Sequence, residues 1–330
     1  MNLSDRALLE WEDSFRYRLA SGRKGGLKIT ITGSRTHNQP CVPLKEQGPV
    51  AARNRINRVC KKTPEVIVKV SGGGRGMGRI RAHFDYISRN GGVALEDEQG
   101  RLIVGRDAVR DLGREWKYGF YGTPEESNRK EAFNIVLSMP PGTDRESVTA
   151  AARTFADKEF SRNQQYVFAS HEDEQHPHVH LCVKALGIDG TRLNPRKADL
   201  QRWRERFAEA LREHGVDANA SPRRIRGQLR RTVRQSARHS NTTQPHADNA
   251  ELPICPCTRA IKGYAVLAIA LARGDEIDRS LAINVTRVVS QMMSEDKANQ
   301  PQLAKVKKTV EKRGLSQCVK GPSSASALDR

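Results

Sequence analysis

Apolar and polar positions alternate in "EVIVKV" (Glu65–Val70), where Val66, Val68 and Val70 share one face, and this predicts a strand. A second strand is predicted in "FNIVLSMPPG" (Phe133–Gly142), ended by its prolines, and two more in "QQYVFASH" and "HVHLCVKAL", which flank a short turn. "LEDEQGRLIV" reads as a hairpin. Between these runs the period lengthens. "RIRAHFDYISRN" predicts a helix stopped by Gly91 and Gly92, "DRESVTAAARTFADKEF" an amphipathic helix, and "ADLQRWRERFAEALREHG" a third with Gly215 as its stop. The order β-α-(ββ)-β-α-β-β-α predicts an α+β domain with a central, mainly antiparallel sheet, over about residues 63–220.

The flanks differ. Residues 1–62 are polar and basic with little periodicity; "SGRKGGLK" and "SRTHNQPCVPLKEQGP" predict a poorly ordered leader. Residues 221–257 are an Arg-rich segment and linker, in which Arg223, Arg224, Arg226, Arg230, Arg231, Arg234 and Arg238 occur without an acid before Ser240. From Thr258 the pattern is helical again in "TRAIKGYAVLAIALARG", "DEIDRSLAINVTRVVSQMM" and "QLAKVKKTVEKRG". This predicts a small all-helical module and tail over 258–330.

Charge narrows the function classes. The 330 residues carry a formal net charge of +19. Such an excess of Lys and Arg points to a polyanionic partner, foremost nucleic acid. No apolar run is long enough to span a bilayer. "MNLSDRALLEWEDSF" has early acids and no apolar core, so a secretory signal is not expected. The six cysteines are scattered, and free thiols in a reducing cytoplasm are expected. Cys255-Pro-Cys257 has no second pair at finger spacing and makes no zinc site. "SGGGRGMG" follows a strand and precedes a helix, but its spacing fits no dinucleotide or P-loop fingerprint; it reads as a flexible turn or a phosphate-facing backbone nest.

The densest chemistry lies in "ASHEDEQHPHVHLCVKA" (Ala169–Ala185). In "HVHLCV", Val179, Leu181 and Val183 share the core face, so His178 and His180 point the other way with Cys182. His171 ends the preceding strand, and an antiparallel hairpin brings it across from them. Three neutral imidazoles would leave open positions on a divalent cation, as catalytic sites require. Asp173, in the intervening turn, is placed to orient a ligand or take a proton. His176, before Pro177, is expected to face away from this cluster. On a basic chain a metal site suggests phosphodiester chemistry, and Tyr86, near the end of the first helix, offers a nucleophile.

These residues resemble the relaxase/mobilisation nuclease family of the HUH endonucleases. The resemblance rests on "HEDEQHPHVH", which carries H-x-D-x4-H-x-H, on "DYISRNG" most of a domain earlier, and on "FNIVLSMPPGTD". It spans about Val66 to Gly227. It implies an HUH endonuclease-like fold and a site-specific nickase of plasmid transfer origins or T-DNA borders, working on single-stranded or supercoiled DNA. It implies His171, His178 and His180 as ligands of Mg²⁺ or Mn²⁺, Tyr86 as the nucleophile that forms a 5′-phosphotyrosyl link, and Asp173 as the family's acidic residue. Ser88, Arg89, Arg223, Arg224 and Arg226 are expected to contact DNA. The implied setting is the bacterial cytoplasm, with relaxosome accessory proteins and a type IV secretion coupling protein as partners, and transfer to a recipient cell on the DNA. The family usually has Asn where Lys184 stands. A rolling-circle replication initiator of the same fold, or a non-catalytic DNA-binding accessory protein, are the alternative readings.

Overall fold

The computed structural model describes residues 2–15, 48–119, 121–223, 225–226 and 256–294. Eight helices occur among them: α1 Leu3–Phe15, α2 Gly48–Cys60, α3 Met77–Ile87, α4 Arg106–Tyr118, α5 Arg145–Phe160, α6 Lys197–Glu213, α7 Pro256–Leu271 and α8 Glu276–Ser294. The strands are β1 Ile67–Gly72, β2 Leu95–Asp97, β3 Leu102–Ile103, β4 Ala132–Ser138, β5 Tyr166–His171 and β6 His178–Lys184. The described residues fall into two compact units, an α+β unit from Thr63 to Ala220 and a helical unit.

The α+β unit is built on one six-stranded sheet in the order β1-β4-β6-β5-β2-β3. Every neighbouring pair is antiparallel. Alternation along the strands sorts the side chains onto two faces. Val68, Ile135, Leu137, Phe168, Val179 and Leu181 pack against Phe155 of α5 and Trp203 and Phe207 of α6. The opposite face presents Val167, Ala169 and Cys182 to Ile80 and Phe84 of α3 and Leu112 and Trp116 of α4. The sheet is thus covered on both sides, which explains why β5 and β6 are buried along most of their length.

α4 has no counterpart in the sequence reading. Its buried residues Val109, Leu112, Gly113 and Trp116 follow the i, i+3, i+4, i+7 spacing of a helix face. Arginines and acids fill the rest of "RDAVRDLGREWKY", so that narrow stripe is easily passed over. Lys184 caps this helix. Its buried Nζ donates to the Trp116 carbonyl (3.4 Å) and to Gln165 Oε1 (3.0 Å). The cation thereby meets the negative end of α4.

The glycine run serves packing. A Cβ on Gly74 would overlap the Ile80 side chain, and one on Gly76 would overlap the Glu125 carbonyl oxygen. The first helical N–H, that of Met77, donates to the Pro124 carbonyl (3.0 Å). That donor is therefore used within the fold, and the buried Gly76 is closed off from a phosphate.

At its two ends the leader is helical, in α1 and α2, which corrects the expectation of poor order there; residues 16–47 lie outside the described residues. α1 and α2 share one core with α7 and α8, containing Leu8, Trp11, Ile56, Tyr264, Leu267, Val285 and Val289. Trp11 and Tyr264 have ring centroids 5.3 Å apart. Arg53 of α2 pairs with Asp5 (2.7 Å) and with Asp278 (2.8 Å), whose side chain is fully buried. The two leader helices are short, and the residues that complete their core lie some two hundred positions away. No local window shows that they have anything to pack against. The predicted helix at 302–314 and most of the Arg-rich segment lie outside the described residues.

Candidate active site

The site sits on the α3-facing side of the sheet, where the β5–β6 hairpin begins and ends. The ladder pairs His171 with His178 and Ala169 with His180. Because side chains repeat every second residue, this register puts His171, His178 and His180 on one face. Their ring centroids are 4.6 Å (171–180), 5.2 Å (178–180) and 5.4 Å (171–178) apart. One ring nitrogen from each lies within 4.8 Å of the others.

The backbone selects which nitrogens face inward. His171 Nε2–H donates to the Ile87 carbonyl (2.8 Å), which makes Nδ1 its lone-pair nitrogen. His178 Nδ1–H donates to the His176 carbonyl (3.2 Å), leaving Nε2. Burial, and then the neighbouring His171 and His178, push His180 down to about 4, so its ring is neutral at pH 7. Three convergent imidazoles, two of them oriented by backbone carbonyls, are a donor set that fits a divalent cation.

Tyr86 is brought to this cluster by α3. Its ring stands edge-on to His180, 5.6 Å between centroids, and lies 6.3 Å from His171. It is 52 % exposed, open to a macromolecular substrate. After α3 the chain turns sharply through Arg89, Asn90 and Gly91, all with positive φ (51°, 55° and 89°). A Cβ on Gly91 would overlap the start of α4. This turn swings the Arg89 guanidinium back to 5.6 Å over the Tyr86 ring and onto Asp173, with its Nη2 3.5 Å from His171 Nδ1. Asp173 Oδ1 is 4.0 Å from His178 Nε2. Partial burial would raise the Asp173 carboxyl, but a backbone N–H, Arg89 and the two histidines outweigh it and hold it below the usual range. The sequence candidates Tyr86, Arg89, His171, Asp173, His178 and His180 therefore meet in one place.

Other candidates lie elsewhere. Ser88 does not fit a DNA contact. It is buried (0 % exposed), and its hydroxyl accepts from Gly91 N (3.1 Å), holding the turn. Arg223 is exposed and Arg226 half-buried, both in the helical unit, while Arg224 lies outside the described residues. His176 does not face away as expected. Its ring is 5.7 Å from that of His178, and its Nε2 is 2.6 Å from Glu174 Oε2.

Two neighbours had no signal in the sequence. Arg145, the first residue of α5, donates to the His171 carbonyl (3.1 Å) and to that of Glu174, clamping the turn that carries Asp173. His83, one helical turn before Tyr86, stacks near its ring at 6.1 Å; burial lowers it to about 4.

Residues 107–216 match the family model described as relaxase, MobA/VirD2-like, nuclease domain. The matched segment holds the three histidines and Asp173; Tyr86 precedes it. The chain is 29 % identical over 202 residues to the T-DNA border endonuclease VirD2 of Agrobacterium fabrum, covering 53 % of this chain and 45 % of that protein. It is 29 % identical over 188 residues to VirD2 of Rhizobium rhizogenes (51 % and 43 %). Against VirD2 of Rhizobium radiobacter the figure is 27 % over 188 residues (51 % and 44 %). The similar region thus spans less than half the length of each relative.

Proposed function

From the match of residues 107–216 to the MobA/VirD2-like relaxase nuclease domain, we propose that the chain nicks one DNA strand at a transfer origin or related border by tyrosine transesterification. The observation that carries this is the convergence of three imidazoles from one hairpin on Tyr86, a half-exposed hydroxyl delivered by a separate helix. His171 through Nδ1, His178 through Nε2 and His180 would hold a divalent ion, Mg²⁺ or Mn²⁺. When bound, that ion supplies Lewis-acid stabilisation of charge on the non-bridging oxygens of the scissile phosphate.

Tyr86 Oη attacks phosphorus, the bond to the 3′ oxygen breaks, and the 3′-OH departs with a proton. The new bond is a 5′-phosphotyrosyl ester. One phosphodiester replaces another, so the step reverses without an external energy source, and covalent catalysis divides one hard hydrolysis-like barrier into two easier ones. Arg89 lies over the Tyr86 ring and brings positive charge to the place where phosphate charge must be met. Asp173, held ionised, fixes Arg89, and we assign it the tyrosyl proton. Arg145 keeps the turn from opening. Lys184 does not bear on these roles. It lies four residues beyond His180, roughly 13 Å along the strand, and is engaged with α4.

Among the described residues no helix is long and apolar enough to cross a membrane. The proposal includes relaxosome accessory proteins and a type IV coupling protein as partners, in the bacterial cytoplasm. The test is incubation of the protein with single-stranded oligonucleotides from its neighbouring transfer region, with Mn²⁺ or with EDTA. A Mn²⁺-dependent covalent protein–DNA band that survives denaturation is expected. A noncovalent complex alone, across all such oligonucleotides, would overturn the nicking role.

A further inference from the structure

On the outer side of the Tyr86 helix, the seam between α3 and α4 opens into a cavity of about 540 Å³. It is lined by the buried Phe84 and Val109, by Arg81 and Asp85 of α3, by Asn90 of the turn, and by Arg106 and Arg110 of α4. The two helices run antiparallel. Gly91 abuts the backbone of Arg106 at one end, and Gly113 lies against the Arg81 side chain (3.2 Å to Cγ) toward the other. The Arg106 end therefore lies at the turn that follows the Tyr86 helix, where Arg106 donates to the Asn90 carbonyl, and the groove runs from there along α3 and α4.

We propose that this seam is the track for the sugar–phosphate backbone of the single strand joined at Tyr86. The inference rests on the nicking role above and adds where the strand runs. Charge is the first argument. Three guanidinium groups face one carboxylate, that of Asp85. Their present partners are easily exchanged. Arg110 pairs with Asp107 (3.1 Å) and Arg81 with Glu125, all strongly exposed, and such pairs are worth little. Arg106 donates only to a neutral carbonyl, that of Asn90 (3.3 Å), among the bonds it makes.

Spacing is the second argument. Arg106 and Arg110 are four residues apart on one helix face, about 6 Å along its axis, close to the separation of successive phosphates in an extended strand. Chemistry is the third. Guanidinium groups in an open, gently concave groove grip phosphates without reading bases, which is the positioning half of nucleic-acid recognition. The third wall, α3, also carries Tyr86. A strand seated in the seam would therefore be registered against the nucleophile by the same rigid helix.

The test uses the full chain and a fluorescent oligo-dT of about 20 nucleotides, with affinity measured by anisotropy across a salt series. Each phosphate contact on a single strand contributes about 0.7 to the slope of log affinity against log salt. The double variant Arg106→Gln/Arg110→Gln should lower the slope by about 1.4, and Arg110→Gln alone by about 0.7. The single variant also serves if the double variant melts early. Arg114→Gln removes an equally exposed cation of α4 from outside the groove and should leave the slope where it is. An unchanged slope in the groove variants, or an equal fall in Arg114→Gln, overturns the track. The nicking role is judged separately. If wild-type protein binds with a groove-dependent slope but forms no covalent adduct, the track stands and the nicking role falls.

Discussion

The ring of Tyr86 meets that of His180 edge-on, with centroids 5.6 Å apart and planes at 87°. One residue comes from a helix that precedes the sheet's centre in the chain, the other from a central strand. Ile80, Phe84 and Ile87 pack α3 into the sheet, and the Ile87 carbonyl accepts from His171, which together hold them in this relation. A tyrosine that served only as surface would have no reason to stand edge-on to a cluster of three histidines.

Tyr86→Phe deletes the one oxygen proposed to attack. The ring contacts are unchanged, so melting temperature and oligonucleotide affinity should stay close to wild type. The covalent band on denaturing gels should vanish. Adduct formation by the Phe variant would move the nucleophile elsewhere, with Tyr118 and Tyr121 the exposed competitors.

His171→Ala, His178→Ala and His180→Ala should each abolish the rise in melting temperature that Mn²⁺ gives wild-type protein. A native-state ligand at a hundred times its dissociation constant stabilises by about 2.7 kcal/mol, and a site missing one of three donors loses most of that. His176→Ala should keep the rise. Its ring is near His178, but the Glu174–His176–His178 group is more exposed, and only His178 belongs to both clusters. Thermal melts with titrated Mn²⁺ read this directly. Equal losses in His176→Ala and His178→Ala would show that the ion sits in the outer cluster.

Much of this site was legible from residue order alone. "HVHLCV" states by alternation that His178 and His180 share a face, and a short polar turn states that His171 returns opposite them. The side chains that hold the site were not legible. Arg145 reaches the turn only because α5 begins beneath it. The Ile87 carbonyl fixes the His171 tautomer only because a helix end falls there. Ser88 shows the opposite failure. Its neighbours Tyr86 and Arg89 face the site, but a left-handed turn tucks its hydroxyl inward. Two leader helices were hidden for a different reason. Their apolar faces are completed by α7 and α8, from the far end of the sequence.

Acid should loosen the helical unit through Asp278. Burial would raise this carboxyl, but Arg53 and Ser4 outweigh burial and hold it below its ordinary value. A carboxyl depressed in the folded state binds fewer protons than in the unfolded chain, so its stabilisation is full above the unfolded value near 3.9 and fades as pH falls through the lower folded value. Asp278→Asn should flatten that acid limb in melts followed by circular dichroism. Arg53→Ala leaves the buried carboxylate unpaired and should cost about 3 kcal/mol or more at pH 7. A loss within about 0.5 kcal/mol, the range of surface substitutions, would show that water reaches Asp278.

Gly76→Ala should destabilise the α+β unit by roughly 2 kcal/mol, because the added methyl meets the Glu125 carbonyl in a place where backbone must move. Gly78→Ala, on the open side of the same helix with nothing near its Cβ, should be neutral or slightly stabilising. Similar melting temperatures for the two variants would contradict the packing reading of the glycine run.

The pairing of His171 with His178 across the hairpin gives the site two different tolerances to changes of length. Residues added or removed between 172 and 177 alter the loop but leave the ladder in step. A single residue inserted between His178 and His180, or between Ala169 and His171, would turn an imidazole through the sheet into the layer of Phe155 and Trp203. The span of the turn and the spacing along the two strands are therefore separate constraints: the first sets where Asp173 and the Arg145 clamp fall, the second sets which face carries the imidazoles.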